Sequence, residues 1–481
     1  MIYEIIGSRI LAPHIGTSTY TWTSLIGVIL AALSLGYWLG GRTADKKPDI
    51  KILASSIFLA GGLVSVTILF KDSVLTVIAA SSLPLELKAV LAAVFLFAPA
   101  SVFLGFVSPY AVKLKTTTLD KTGNTVGSLY ALSTIGSILG TFSAGFFLIP
   151  FVGSTRTLYF IAGSLFLLSI LLAPFAISRS NIAILVIFTL GLVSNEAQTY
   201  YLRVYHNYYD IDTEYNRVQI FETKHQKDGK PIRAMKIDPS FYQSSMYLDS
   251  DELTSEYAKF YHLIRYYKPD FKKTLMIGGA GYSFPKEYLK TYPNAEIDVV
   301  EIDPQMTAIA KRFFRLKENP RLKIFHQDGR VFLNQAPTAK YDAVLMDAFT
   351  SLFSVPFQLT TIEAAIEIKR ILKDDGVVIF NLGGALEGKG SRFLHAELRT
   401  YNAVFPHVYL YKVDTSKDES NTQNVIIVAL KGEHSNRSLK NLPLKTTNLV
   451  RNLNQGNISL SEQIPSDNLN SIEYYNSLIQ R

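Results

Sequence analysis

Apolar positions along this chain fall into two regimes. Up to about residue 195 they form long runs with sparse charges, and from Arg203 onward they form short runs between charged turns. A helix needs about 20 apolar residues to cross a hydrocarbon core about 30 Å thick. Five segments meet that requirement: 20–40, 52–70, 87–107, 126–152 and 158–177. Segments 2–12 and 182–193 are apolar but short, and each is expected to be re-entrant or interfacial rather than a full span. The N-terminus lacks a basic region, and Glu4 and Arg9 interrupt its apolar stretch, so a cleaved signal peptide is not expected. Gly36 with Gly40, and Gly136 with Gly140, have the spacing that lets helices approach closely in lipid. Pro99 and Pro109 are expected to kink or end a helix. Glu4, Arg9 and His14 are placed either at the interface or in a polar site.

The second regime opens with a hairpin. Residues 217–222 and 232–237 read as strands about an Asp228-Gly229 turn. Residues 252–267 read as a helix rich in aromatics. Apolar strands follow at 273–277, 296–300, 322–326, 341–346 and 376–381, with a glycine turn at 278–281 and a helix at 283–290. Alternating strands and helices predict a mostly parallel, doubly wound sheet, that is, an α/β Rossmann-like domain. The expected organisation is a helical membrane domain (1–195), a small β subdomain (196–255), the Rossmann-like catalytic domain (256–432) and a tail (433–481). The tail, rich in Asn, Ser and Leu, is expected to be loosely structured up to a closing helix near 471–480.

Composition sharpens this division. Apolar residues make up 48% of the chain and charged residues only 18%, low for a wholly soluble protein. The net charge of +8 does not call for nucleic acid, because much of the excess lies in loops between apolar segments. The loop after the first span holds Arg42, Lys46, Lys47 and Lys51, and the loop after the third holds Lys113, Lys115 and Lys121. The intervening loops hold only Lys71, Lys88 and Arg156. By the positive-inside tendency the two rich loops, and the loop with Arg179, are cytoplasmic. The catalytic domain is then also cytoplasmic, at the inner membrane, provided that 182–193 does not cross. The absence of cysteine excludes disulfides, thiolate metal sites and cysteine nucleophiles, and no metal is expected.

Ligands of doubly wound sheets bind beyond the carboxyl ends of the strands. Gly278, Gly279 and Gly281 fall there, as do Glu301, Asp328 with Gly329, and Asp347. Glycines let a ligand approach the backbone. Glu301 lies about 20 residues beyond the turn, where a carboxylate suits a ribose diol. Asp328 can accept from an adenine amine, and Asp347 stands where substrate chemistry would occur. Any one of these carboxylates could instead be a helix cap; four such features at successive strand ends point to a nucleoside. The turn lacks the Lys-Ser/Thr ending of a P-loop and the G-x-G-x-x-G form of a dinucleotide site, so an adenosyl ligand without pyrophosphate fits best.

Leu275–Gly281, Val300-Glu301-Ile302-Asp303, Asp328-Gly329-Arg330-Val331-Phe332-Leu333 and Tyr341-Asp342 through Asp347 resemble the spermidine synthase, or polyamine aminopropyltransferase, pattern. So does Tyr242-Gln243-Ser244 followed by Asp251-Glu252 and Tyr257. Tyr37-Trp38-Leu39-Gly40-Gly41-Arg42 is similar to the transmembrane members of that family, and Ser466-Asp467 with Ile472-Glu473-Tyr474 resembles their closing motif. The resemblance implies transfer of an aminopropyl group from decarboxylated S-adenosylmethionine to a polyamine, with methylthioadenosine leaving. It implies that Glu301 holds the ribose, Asp328 the adenine and Gln243 the nucleoside, and that Asp347 is the general base. The pattern departs at Gly281, where the family usually carries an acid, and in Asp347-Ala348-Phe349-Thr350-Ser351, which lacks the second acid of Asp-Ser-Ser-Asp-Pro. Both departures weaken the grip on a dication. A lyase that turns S-adenosylmethionine into homoserine lactone and methylthioadenosine needs fewer groups. That reading stays open, as do methyl transfer and a non-catalytic nucleoside sensor. The expected partners are a nucleoside, a polyamine and the lipid bilayer, with homo-oligomerisation left open.

Overall fold

The computed structural model describes residues 1–16, 18–116, 118, 122–174, 179–237, 241–348, 356–432, 444–454, 462–469 and 471–477. The chain forms two compact units, Met1–Gln219 and Ile220–Arg481.

The first unit is helical: α1 (Ile2–Ile15), α2 (Thr19–Lys46), α3 (Ile50–Ala80), α4 (Leu85–Leu96), α5 (Ala98–Lys115), α6 (Thr122–Ser143) with a π-helical continuation Ala144–Val152, α7 (Ser154–Leu172) and α8 (Arg179–His206), then strand β1 (Tyr209–Asp212). Five helices are long and apolar enough to cross a membrane, or six if the bent pair α4–α5 counts as one span. That pair corrects the expectation of one continuous helix over 87–107. It bends by 56° at Phe97, and Pro99 sits in the first turn of α5, where its missing N–H costs no hydrogen bond. Helix α1, at 14 residues, is too short to span.

Helix α8 corrects the expectation of a short segment at 182–193, since it runs for 28 residues. Glu196 ends the apolar run but not the helix, and Arg156 of α7 donates to both its carboxylate oxygens at 2.9 and 2.8 Å. Helix α8 lies parallel to α3. A Cβ on Gly62 would meet Ile184 at 3.0 Å, and one on Gly191 would meet Leu69 at 3.0 Å, so both helices advance together.

Gly36 and Gly40 seat α2 on α5: a Cβ there would strike the carbonyl oxygens of Val102 at 2.1 Å and Phe106 at 2.7 Å. Gly136 and Gly140 do not repeat this. A Cβ on Gly136 would meet nothing within 4 Å among the described residues, and one on Gly140 would meet only the Ile2 side chain. Arg9 and His14 join a polar cluster. Arg9 donates to the Glu214 carbonyl, and His14 stands 3.9 Å from Asp72, which pairs with Lys71 at 2.7 Å. Arg217 grips Asp210 with two bonds at 2.9 and 2.7 Å, and Asp212 accepts from the Ser154 N–H at 2.7 Å and hydroxyl at 3.0 Å.

The boundary between units falls inside β2 (Arg217–Lys224). In the second unit β2, β3 (Pro231–Lys236) and β4 (Ser244–Tyr247) neighbour one another in a small sheet, with β3 and β4 antiparallel. The Asp228-Gly229 turn is as expected, with Gly229 at φ 71°. The helix expected over 252–267 starts later and is broken into three short turns: α9 (Glu256–Lys259), a 3-10 turn (Phe260–Leu263) and α10 (Ile264–Tyr267). Then follow β5 (Lys273–Ile277), α11 (Ser283–Thr291), β6 (Glu296–Val300), α12 (Pro304–Phe313), β7 (Leu322–Phe325), α13 (Gly329–Gln335), β8 (Tyr341–Met346), α14 (Ile362–Ile371), β9 (Leu372–Gly384), α15 (Arg392–Val404), β10 (His407–Lys412), β11 (Gln423–Leu430), α16 (Leu444–Val450) and α17 (Ile472–Ser477).

The large sheet has the order β10-β11-β9-β8-β5-β6-β7. Strands β5 to β9 are parallel, and β11 and β10 extend the sheet antiparallel. Apolar side chains on both faces, such as Leu275, Val344 and Val378 on one and Met276, Leu345 and Ile379 on the other, bury the strands between helical layers. This is the doubly wound Rossmann-like fold expected from the sequence.

The closing helix falls where it was expected, as α17, and its Ile472 and Tyr475 pack into the core with α15; α16 adds a helix in the stretch expected to be loose. The expected loose stretch at 433–443 and 455–461, and the end of the closing helix beyond 477, lie outside the described residues.

Candidate active site

Strands β5 and β8 end side by side, and the turn after β5 must clear the chain leaving β8. Gly278 does this with φ 101°, a left-handed conformation that favours glycine. A Cβ there would lie 2.4 Å from the Asp347 carbonyl oxygen. Gly279 could bear no side chain without meeting the Tyr282 ring at 2.6 Å, and Gly281 none without meeting the Ser244 hydroxyl at 2.3 Å. Ala280 and Tyr282 also hold positive φ values, 45° and 53°, which are rare for residues with a Cβ. Tyr282 tolerates it by burial and by a hydroxyl bond to Thr307 at 2.7 Å.

Glu301 fixes this turn from below. Its Oε2 accepts the N–H groups of Gly279 at 2.9 Å and Ala280 at 3.0 Å, and its Oε1 accepts the N–H of Asp303 at 3.0 Å. Burial pushes its carboxyl above the usual range, against those three bonds. Asp303 caps α12, with Pro304 as the first helical residue. Asp328 caps α13, accepting from the N–H of Arg330 at 2.8 Å and of Val331 at 3.1 Å, and its other oxygen accepts from Gln358 at 3.2 Å. Gly329 packs against Ile277 and Leu359. Asp467 of the closing motif holds Arg330 through two bonds at 3.1 and 2.8 Å and accepts from Thr361 at 2.7 Å.

Asp347, at the end of β8, gathers the most side-chain donors of the strand-end carboxylates. Asn381 in the last third of β9 donates to Oδ1 at 3.1 Å, and Tyr257 donates to Oδ2 at 3.4 Å. Asn381 is itself held by Asn424 at 3.0 Å. Tyr261 lies beside the carboxylate and bonds the Met346 carbonyl at 3.3 Å. Burial raises the Asp347 carboxyl to about 7, although these donors favour its charged form. Burial, reinforced by Asp347, pushes both tyrosine hydroxyls well above their usual range. Asp347 is therefore a carboxylate poised near neutrality beside donors that stay protonated, which is the equipment of a general base.

Asp347 opens into a cavity of about 700 Å³. Gln243, Gly278 and Gly279 line it, with Phe241, Tyr242, Tyr257 and the amides Asn381, Gln423 and Asn424. Gly281, Glu301, Asp328 and Gly329 do not line it. The structure thus brings Gln243, the turn and Asp347 to one space, and places Glu301 and Asp328 as supports of the turn and of α13. The sequence reading missed Asn381, Asn424 and Tyr261. A polar residue ending an otherwise apolar strand was the available signal for Asn381. Residues 349–351 of the second departure from the family pattern lie outside the described residues. No group of three or more potential metal ligands occurs among the described residues.

Residues 256–429 match the family described as the spermine/spermidine synthase domain. The polyamine aminopropyltransferase of Vibrio vulnificus is 32% identical over 149 residues, which is 31% of this chain and 48% of that protein. The polyamine aminopropyltransferase of Streptococcus pneumoniae is 32% identical over 155 residues, which is 31% of this chain and 53% of that protein. The chain thus spans about half the length of these curated relatives. Among solved structures, the spermidine synthase of Thermotoga maritima is 20% identical with a TM-score of 0.36, covering 54% of this chain and 81% of that one.

Proposed function

We propose that this chain, whose residues 256–429 belong to the spermine/spermidine synthase domain family, is a multi-pass membrane enzyme that transfers an aminopropyl group from an adenosyl sulfonium to an amine. The donor in this reading is decarboxylated S-adenosylmethionine, the acceptor is a polyamine, and methylthioadenosine leaves. The observation that carries it is the buried Asp347 carboxylate, poised near neutrality at the wall of a nucleoside-sized cavity. An ammonium has no lone pair, so Asp347 first takes a proton from the acceptor. The freed lone pair attacks the methylene carbon bound to sulfur. The carbon–sulfur bond breaks, and its electrons neutralise the sulfonium. A cationic leaving group needs little further help, so holding the two partners in line supplies most of the remaining acceleration.

In the same reading the backbone of Gly278, Gly279 and Gly281 and the side chain of Gln243 receive the nucleoside. Neither Glu301 nor Asp328 lines the cavity, so the ribose and adenine bonds that the resemblance implies for them require the nucleoside to extend past the glycine turn. The catalytic domain would face the cytoplasm, where sulfonium nucleosides are made. The test is product analysis of the purified protein in detergent with decarboxylated S-adenosylmethionine. Methylthioadenosine that forms only when an amine acceptor is present supports the reading. Methylthioadenosine from intact S-adenosylmethionine without an acceptor refutes it in favour of a lyase.

A further inference from the structure

The charges around the cavity do not match a dication. Among the described residues, the only carboxylate besides Asp347 lining it is Glu256, whose Oε1 is held by Lys259 at 2.9 Å and Lys227 at 3.2 Å. Four basic side chains line the same cavity: His225, Lys227, Lys236 and Lys417. His225 is paired with Asp228 at 2.8 Å and Lys227 with Glu256. Lys236, at the end of β3, and Lys417, in the turn before β11, make no ion pair among the described residues, and the Lys417 ammonium donates only to the Thr422 carbonyl at 3.4 Å. A third donor faces the same space. Gln423 is 6% exposed, its Oε1 accepts the Asp414 N–H at 3.2 Å, and its Nε2 has no partner among the described residues. The backbone donor fixes which end of that amide is oxygen, so the unpaired end is N–H₂. A buried amide donor left unpaired is costly, and such a group calls for an acceptor.

The glycine turn beside the cavity agrees. At Gly281 the place of a side chain is taken by Ser244, whose hydroxyl lies 2.3 Å from where a Cβ would be. No acid reaches into the cavity from that turn to offset the lysines.

We infer that this cavity holds an anion subsite, formed by Lys236, Lys417 and Gln423, that takes a carboxylate borne by the substrate. The substrate class is then an amino acid rather than a plain polyamine. This rests on the reading of the cavity as a sulfonium nucleoside site. The carboxylate has two chemical sources. It belongs either to the acceptor, a diamino acid, or to the sulfonium, as in intact S-adenosylmethionine. In the first case the transfer runs as above with the acceptor's side-chain amine. In the second the carboxylate oxygen attacks its own γ-carbon, the carbon–sulfur bond breaks, and homoserine lactone and methylthioadenosine form with no co-reactant.

Two pairs of compounds isolate the group, because each pair differs by one carboxylate: ornithine against putrescine, and S-adenosylmethionine against its decarboxylated form. The experiment measures methylthioadenosine release and calorimetric binding on the full-length protein in detergent, with methylthioadenosine itself as a tail-free binding probe. A charge-assisted contact predicts a preference of about 10-fold or more for the carboxylate-bearing member of one pair. The Lys236→Gln/Lys417→Gln variant should lose that preference while methylthioadenosine binds as before. Preference in the ornithine pair assigns the subsite to the acceptor, and preference in the sulfonium pair assigns it to the donor. Putrescine and decarboxylated S-adenosylmethionine as the better members of both pairs, in turnover and in binding, would overturn the inference and leave the aminopropyl transfer standing. Failure of methylthioadenosine to bind at all would overturn the nucleoside reading and the subsite with it.

Discussion

Replacing Asp347 with Asn separates catalysis from stability, because the two respond in opposite directions. The wild-type carboxyl sits at about 7 when folded, against an ordinary value of 3.8, chiefly because burial disfavours its charge. That difference corresponds to roughly 4 kcal/mol of preference for the neutral acid. The folded protein therefore keeps a proton that the unfolded chain has released between about pH 4 and pH 7. Stability falls across that window as pH rises, and above pH 7 the full penalty stands. Asn keeps the shape and a donor–acceptor pair but carries no charge to desolvate. Asp347→Asn is expected to unfold later than wild type at pH 8, by about 1–3 kcal/mol after relaxation, and to match it near pH 4. Its turnover should fall by a factor of about 10² or more, since the base is gone. Wild-type kcat/KM should rise about tenfold per pH unit up to a bend near 7. A bound sulfonium about 6 Å away, at an effective dielectric of about 20, would stabilise the carboxylate by roughly 3 kcal/mol. The bend in kcat should then lie about two units lower than that in kcat/KM. Thermal unfolding curves of the two proteins between pH 4 and 8, with both pH–rate profiles, check this. Unfolding curves that stay parallel over the whole range, or an Asn variant with wild-type turnover, would refute the argument.

Two further outcomes follow from packing. Gly278→Ala should cost more than about 1 kcal/mol and most of the activity, because φ 101° and an oxygen 2.4 Å away both oppose a Cβ; denaturant unfolding and product assay measure the two effects. Glu397 in α15 is fully buried with neither oxygen paired among the described residues, and burial pushes its carboxyl well above the usual range. Glu397→Leu should therefore raise the unfolding midpoint, by the equivalent of about 1–3 kcal/mol above neutral pH, and a lower midpoint would show that the carboxyl is needed there.

Elements with a strong local signal were legible in the sequence. Strands β5, β6 and β8 begin and end where their apolar runs do, and the turn after β5 announces itself by its glycines. Elements settled by distant partners were not. Strand β9 extends back through Lys373-Asp374-Asp375, a charged stretch that reads as a loop; Lys268 pairs with Asp375 at 2.6 Å and Lys431 with Asp374 at 3.4 Å. Helix α16 lies in a stretch that reads as loose, and Leu449 and Val450 pack it against the core around the 3-10 turn Phe260–Leu263. The site was legible to the same degree. Strand-end carboxylates named Asp347, Glu301 and Asp328, but only folded geometry separates the one that opens into the cavity from the two that hold backbone. Asn424 reaches Asp347 through Asn381 across two strands, and no spacing in the sequence reveals such a relay.

Contacts within the helical unit likewise bear on the topology that follows if its long apolar helices cross a membrane. Tyr110 of α5 bonds the Lys47 carbonyl and Lys113 pairs with Asp45 at 2.9 Å, so the two Lys-rich loops share one end of the helical unit. Ser154 at the start of α7 bonds Asp212 beyond α8, so the chain leaves α8 at the end where α7 begins. Helix α8 runs parallel to α3, which starts among the basic loops, so both end on the opposite face. The two expectations drawn from the sequence, basic loops inside and catalytic domain inside, cannot both hold once α8 crosses. The positive-inside tendency favours the loops, whereas a cytosolic sulfonium substrate favours the catalytic domain. The absence of cysteine makes the question directly measurable. Single substitutions Pro48→Cys and Lys389→Cys, probed with a membrane-impermeant maleimide in intact and permeabilised cells, should label from opposite faces. Labelling from the same face would refute a crossing α8. With opposite faces established, protection of Lys389→Cys in intact cells is the outcome that the proposed function requires. Labelling of that site from outside would leave the helical topology intact and remove its sulfonium substrate.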